Sequence, residues 1–180
     1  MSQLDAILSG RISKNRAVLF QKSDQSIQYL LYLLGSQTRK TIILWALDLA
    51  QETVEDLKQK YPTDDKAEAA LHTTRLWAQG VVKMPIAKRA ILDCHAVAKT
   101  LDSLEDVALY HAVGQACSTV HACGHAIGYP IYDLTAIVRK YGIDGYRAPL
   151  EQRIAHYIER LQYCELNQNL PRQWAKFIQD

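Results

Sequence analysis

His121 and His125 stand four residues apart, with Cys117 four residues before them and His111 earlier in the same stretch, SLEDVALYHAVGQACSTVHACGHAIG, residues 103–128. On a helix, positions four apart lie one above the other. Two imidazoles so placed can share one metal ion, as in the H-E-x-x-H zinc helix. Between these two, however, the residues are Ala-Cys-Gly, so the glutamate base of that motif is missing. A third ligand to zinc would have to be His111, Cys117 or a group on another helix. The ordinary alternative is hydrogen bonding across a tight helix crossing, because buried imidazoles must find partners. That alternative is preferred, and no cofactor is expected.

Asp48 is a second candidate, because it interrupts the apolar run IILWALDLA. A carboxylate there sits either on the solvated edge of a helix or buried with a partner. Glu52 and Glu55 nearby favour the solvated edge. Arg75, on the following helix, is placed to pair with Asp48 but lies off the apolar stripe, and Trp77 reads as core. Tyr129 and Tyr132 stand either side of Pro130 and can line a cavity near His125. His72, His95 and His156 fall beside charged or polar residues and read as surface. The chain has no G-x-S-x-G elbow, no phosphate-cradling glycine loop and no G-x-G-x-x-G, so the common nucleophile and nucleotide signatures are missing.

These residues need helices to position them. Ser103 with Asp106 is an S-x-x-D capping box. The steps of three and four among His111, Gly114, Ser118, His121, His125 and Gly128 predict one helical stripe running to Gly128. Before it, Ser36 is expected to cap a long helix that ends at Tyr61 and Pro62. Ile43, Ala46, Leu47, Ala50, Val54 and Leu57 form its stripe; Ile42, Trp45 and Leu49 widen it, so burial on two sides is expected. Acidic residues at 64–65 open a helix whose inner face runs from Ala67 to Val81, and Pro85 opens another reaching Leu101. Further helices are predicted over 131–141 and 150–166, with short ones over 3–9 (Ser2 and Asp5 forming a weak capping box), 27–34 (closed by Gly35) and after Pro171. Residues 10–26 read as a loop or arm. No strand-like alternation occurs, so the expected fold is all-α, a bundle of stacked antiparallel helices without a sheet, forming one domain over 1–180.

Composition narrows the classes. The hydrophobic fraction is 48%, the charged fraction 22% and the formal net charge +2. These values suit a soluble globular protein and give no global field for nucleic acid or an anionic membrane. The start of the chain lacks the basic-then-apolar build of a secretion signal, and no apolar run is long enough to span a bilayer. Four cysteines without a C-x-x-C pair read as reduced thiols. A cytoplasmic location is expected.

With these residues assembled, a resemblance is visible. WALDLA (45–50), RLWAQG (75–80), DCHAVA (93–98) and TVHACGHAIG (119–128) followed by Tyr132 occur in the same order as in a bacterial family. The chain resembles the Imm-five-like immunity proteins, named from genomic association with polymorphic toxin systems. Residues 38–142 carry the likeness, through the patterns W-A-x-D, R-x-W-A-x-G and H-x-x-x-H-A-x-G. Residues 1–37 and 143–180 are helical extensions to it. The resemblance implies a toxin–antitoxin setting: a cytosolic protein-binding module that neutralises a cognate toxin by contact, with no catalytic residues to transfer. On this reading Asp48, Arg75, Trp77, His121, His125 and Tyr132 are the binding or pocket candidates. Two alternatives stand beside it: a small metal-binding protein or hydrolase using His121 and His125, and a homo-oligomer assembled through the extensions.

Overall fold

Thr38 opens the helix around which the others pack. Its hydroxyl accepts the Thr41 N–H at 3.2 Å, capping α3 (Arg39–Lys60). In a computed structural model that describes residues 2–169 and 173–179, eight α-helices follow one another, and no strand occurs among the described residues. The chain is thus an all-α bundle. Before α3 come α1 (Gln3–Ser13) and α2 (Gln25–Gly35); after it come α4 (Lys66–Ala78), α5 (Met84–Val97), α6 (Leu104–Ser118), α7 (Gly128–Gly145) and α8 (Arg147–Asn167). Short 3₁₀ turns lie at Ala98–Thr100, Cys123–His125 and Lys176–Ile178.

From Thr41 to Leu47 every residue of α3 is buried, as are Leu49 and Ala50. This exceeds burial on two sides, because α3 touches α4, α6 and α8 at once. Trp45 is fully buried there and donates its indole N–H to the Tyr157 carbonyl of α8 at 2.8 Å. At the other end of α3, the buried Asp106 carboxylate accepts Lys60 Nζ at 2.7 Å and the Tyr61 hydroxyl at 2.5 Å. The Ser103 hydroxyl meanwhile accepts the Asp106 N–H at 3.2 Å, so one residue both starts α6 and ties it to α3.

Several boundaries differ from the expected ones. Ser36 does not cap α3 but closes α2, and Gly35 is the last helical residue of α2 rather than its cap. The Ser2–Asp5 capping box forms in full, and α1 runs on to Ser13. Within the expected arm, Leu19 and Phe20 are buried, because the Leu19 N–H donates to Thr135 Oγ1 of α7 at 3.0 Å. Val81 lies beyond α4 and is exposed. The helix predicted from 131 starts three residues earlier, with Pro130 in its first turn, where its missing N–H costs nothing. Gly142 (φ +68°) kinks α7 one turn before its end, a backbone conformation that glycine adopts freely.

The main correction concerns residues 103–128. They are not one helix. The Ser118 hydroxyl donates to the Gly114 carbonyl at 2.8 Å and the Thr119 hydroxyl to the Gln115 carbonyl at 3.3 Å, back-bonds that favour bending at a helix end. The chain then reverses, Ala122 is extended (φ −145°, ψ 119°), and α7 packs back along α6. Reversal buries Val120, Ala126 and Ile127, which a straight helix of this length, on the order of 39 Å, would carry away from the bundle. His121 and His125 therefore do not share a helical stripe with His111.

Candidate functional site

α3 and α4 bring two of the expected residues to one cleft. Asp48 and Arg75 line a hollow of about 520 Å³ with Leu44, Leu47, Ala78 and Trp174. They do not pair with each other, although their places on adjacent helices would allow it. Arg75 Nη1 donates to Gln51 Oε1 at 2.6 Å, and Asp48 Oδ2 accepts the Cys164 thiol at 3.7 Å. Asp48 is half-buried rather than on a solvated edge. Its neighbour Glu52 is turned towards Arg153 and His156.

On the far side of Ala78 lies an aromatic stack. Trp77, buried as expected, faces the exposed His121 ring with centroids 6.4 Å apart and 25° between planes. Phe177 packs on the same indole at 5.7 Å. Arg39 stands over Phe177 and donates Nη1 to the Phe177 carbonyl at 2.9 Å and Nη2 to the Val120 carbonyl at 3.0 Å. Phe177 and Arg39 escaped the sequence reading, since neither belongs to a patterned stripe. Residues 173–179 separate this stack from the Asp48–Arg75 cleft, and Gln79, Gln173 and Trp174 line both hollows.

The remaining candidates gather where α5, α6 and α7 meet. His95, expected at the surface, is half-buried against Gly114, and its Nδ1 lies 2.8 Å from His111 Nδ1. Two such nitrogens share one proton, so one ring donates and the other accepts. Burial, then the neighbouring imidazole, lowers His95 to about 4. Burial also lowers His111. Tyr132 packs on the other side of His111 at 5.2 Å. His125 is exposed and meets Gln115 Oε1 through Nδ1 at 3.1 Å. His121 and His125 thus hold different partners, and the proposed metal set is dispersed. Cys117 is fully buried, and burial pushes its thiol up to about 12. Among the described residues no group of three or more His, Cys, Asp or Glu side chains is placed to hold a metal ion.

A buried ionic network joins α3, α7 and α8, and pattern reading did not find it. Arg153 donates Nε to Asp133 Oδ2 (2.6 Å), Nη1 to Glu52 Oε2 (2.7 Å) and Nη2 to the Tyr129 hydroxyl (2.7 Å). Tyr157 donates its hydroxyl to the same Asp133 oxygen at 2.6 Å, and His156 Nε2 donates to Glu52 Oε1 at 2.8 Å. The Tyr129 hydroxyl passes its own proton to the Leu49 carbonyl at 3.0 Å. Burial alone would raise Glu52, yet Arg153 and His156 outweigh it and hold the carboxyl below its ordinary value. One signal was available: Asp133 sits in the apolar run IYDLTAIV, where a buried acid demands a partner. The network forms one wall of an open cleft of about 820 Å³. Every N–H group of Arg153 named here is spent on the fold, so the network holds helices together.

The fold is thus a helical scaffold that carries an aromatic stack, an arginine bonded to two of its own carbonyls, and thiols kept protonated by burial. No helix among the described residues is long and apolar enough to cross a membrane. The family is then specific. The chain belongs to the family described as Imm-5 like putative immunity protein, whose model matches residues 32–160. No curated protein and no solved structure gives a significant match.

Proposed function

We propose that this chain is a toxin-neutralising binding protein that acts in the bacterial cytoplasm by direct contact with a cognate toxin. The observation that carries the reading is family membership across residues 32–160. The reading is supported by the cleft that Asp48, Arg75 and the partly exposed Trp174 line, and by the exposed His121 ring stacked on the buried Trp77 indole. Interfaces that discriminate between partners concentrate their binding energy in such residues, Trp and Arg above all. The partner's surface must be complementary in shape and charge. The test is co-expression with each protein encoded beside this chain that halts growth when expressed alone. The toxin alone should halt growth of the host, and co-expression should restore it, with both proteins eluting as one complex. Growth arrest unchanged by an abundant, folded chain would overturn the proposal.

A further inference from the structure

Residues 173–179 lie across the end of α4 as an extended strap closed by a 3₁₀ turn, outside the stretch that matches the family. Helices end with carbonyls that have no partner within the helix, and the strap serves two of them. The Ala175 N–H donates to the Ala78 carbonyl at 2.8 Å, and Gln173 Nε2 donates to the Gln79 carbonyl at 3.0 Å. Ala175 and Ile178 are buried, while Trp174 is partly exposed and Phe177 is 40% exposed. Gly80, at φ +79°, turns the chain beneath the strap, with Ala175 about one van der Waals contact away. One main-chain hydrogen bond, one side-chain hydrogen bond and the buried Ala175 and Ile178 attach the strap.

Charge makes the strap an imperfect occupant. Arg39 spends its terminal donors on two carbonyls, and its Nε is buried without a partner. No carboxylate among the described residues forms an ion pair with it. Lys83 and the strap's own Lys176 line one hollow beside the strap. The strap thus brings a lysine, and no carboxylate within residues 173–179, to a surface that already holds Arg39 and Lys83. An acidic segment of the same shape would answer Arg39 and Lys83.

We infer that the surface at the end of α4 beneath the strap is a docking site for an extended segment of a partner protein, one that carries aromatic side chains and a carboxylate, and that residues 173–179 cover it until that segment displaces them. The inference rests on the binding-protein reading only for calling the partner a toxin; exchange at this surface is a property of this chain alone. Two synthetic peptides provide the test, one with the sequence of residues 173–179 and one bearing Lys176→Glu. Each is titrated by fluorescence polarisation against the full chain and against the full chain carrying Trp174→Ala and Phe177→Ala. The substituted chain should bind both peptides about tenfold more tightly than the unsubstituted one. The Lys176→Glu peptide should bind about tenfold more tightly than its parent, as one charge-assisted hydrogen bond provides, with the advantage fading as salt rises. If the doubly substituted chain loses its helical circular dichroism, Phe177→Ala alone removes a half-exposed ring and carries the same comparison. Failure of either peptide to bind the substituted chain, or no gain from Lys176→Glu, would overturn the inference. Neither result bears on the growth assay, which involves no peptide.

Discussion

Replacing Arg153 by methionine isolates the ionic network, because methionine keeps most of the apolar stem and removes the guanidinium. Three donated bonds disappear, those to Asp133, Glu52 and the Tyr129 hydroxyl. Each carboxylate keeps one donor: the Tyr157 hydroxyl stays with Asp133 and His156 with Glu52. Stripping one partner from a buried ion pair costs about 3–5 kcal/mol. The surviving hydrogen bonds and the partial exposure of the Glu52 side chain, 32% against 7% for Asp133, lower the expected loss to about 2–4 kcal/mol. That is a large share of a domain's usual 5–15 kcal/mol, roughly speaking. Urea unfolding followed by far-ultraviolet circular dichroism reads it as a lower midpoint at unchanged slope. The pH dependence fixes the mechanism. Glu52 is held below its ordinary value of 4.5 in the folded chain, so its contribution is complete above that value and is lost as pH falls through the lower, folded-state one. The gap between the two proteins should therefore be full at neutral pH and narrow in acid. A loss below about 1 kcal/mol, the range of exposed pairs, or a gap that widens on acidification, would refute the reasoning.

Two glycines offer a graded pair. Alanine at Gly114 would set its Cβ 2.3 Å from Nε2 of His95, a ring already fixed by His111, and should cost about 1–3 kcal/mol. At Gly128 the new Cβ would meet Gln115 Oε1 at 2.5 Å, but that flexible side chain can swing aside, so Gly128→Ala should cost under about 1 kcal/mol; calorimetric midpoints in the reverse order would contradict this. His95 should remain neutral at neutral pH and take up its proton only near 4 in an NMR titration of the ring signals. An unfolded imidazole titrates near 6.5, so the unfolded chain binds more protons between about 6.5 and 4 and stability falls as pH drops through that window. A His95 ring titrating at or above 6.5 would contradict the buried pairing.

What could be read from the sequence was whatever depends on neighbours along the chain. The Ser2–Asp5 and Ser103–Asp106 starts, the apolar stripe of α3 and the opening of α5 at Pro85 all rest on residues within a turn or two of each other, and each helix is present. What could not be read depends on contacts far apart in sequence. Leu19 and Phe20 look like part of a polar arm until Thr135 accepts the Leu19 N–H. Arg153 looks like one more polar-face residue of α8 until Glu52 and Asp133 converge on it. His95 falls on the lysine side of its helix, yet Gly114 leaves room for its ring to approach α6. Of the site candidates, Asp48 and Arg75 do share a cleft, as their places on adjacent helices suggested, but Gln51 takes the bond that seemed to belong to Asp48.

The break after Ser118 changes the meaning of the two histidines that dominated the sequence. On one helix they could share a metal ion or hydrogen-bond across a helix crossing. In a turn they face different neighbours, His121 the Trp77 indole of α4 and His125 the Gln115 amide of α6. Each therefore holds the turn against a different helix, and the small residues between them let the chain reverse within a few positions. That placement also aims the Val120 carbonyl at Arg39. The same guanidinium carries Phe177 and so one end of the strap. The turn that carries the two histidines thus meets the strap through Trp77 and Arg39. His121→Ala should loosen Trp77 and Phe177 together, while His125→Ala should leave both in place.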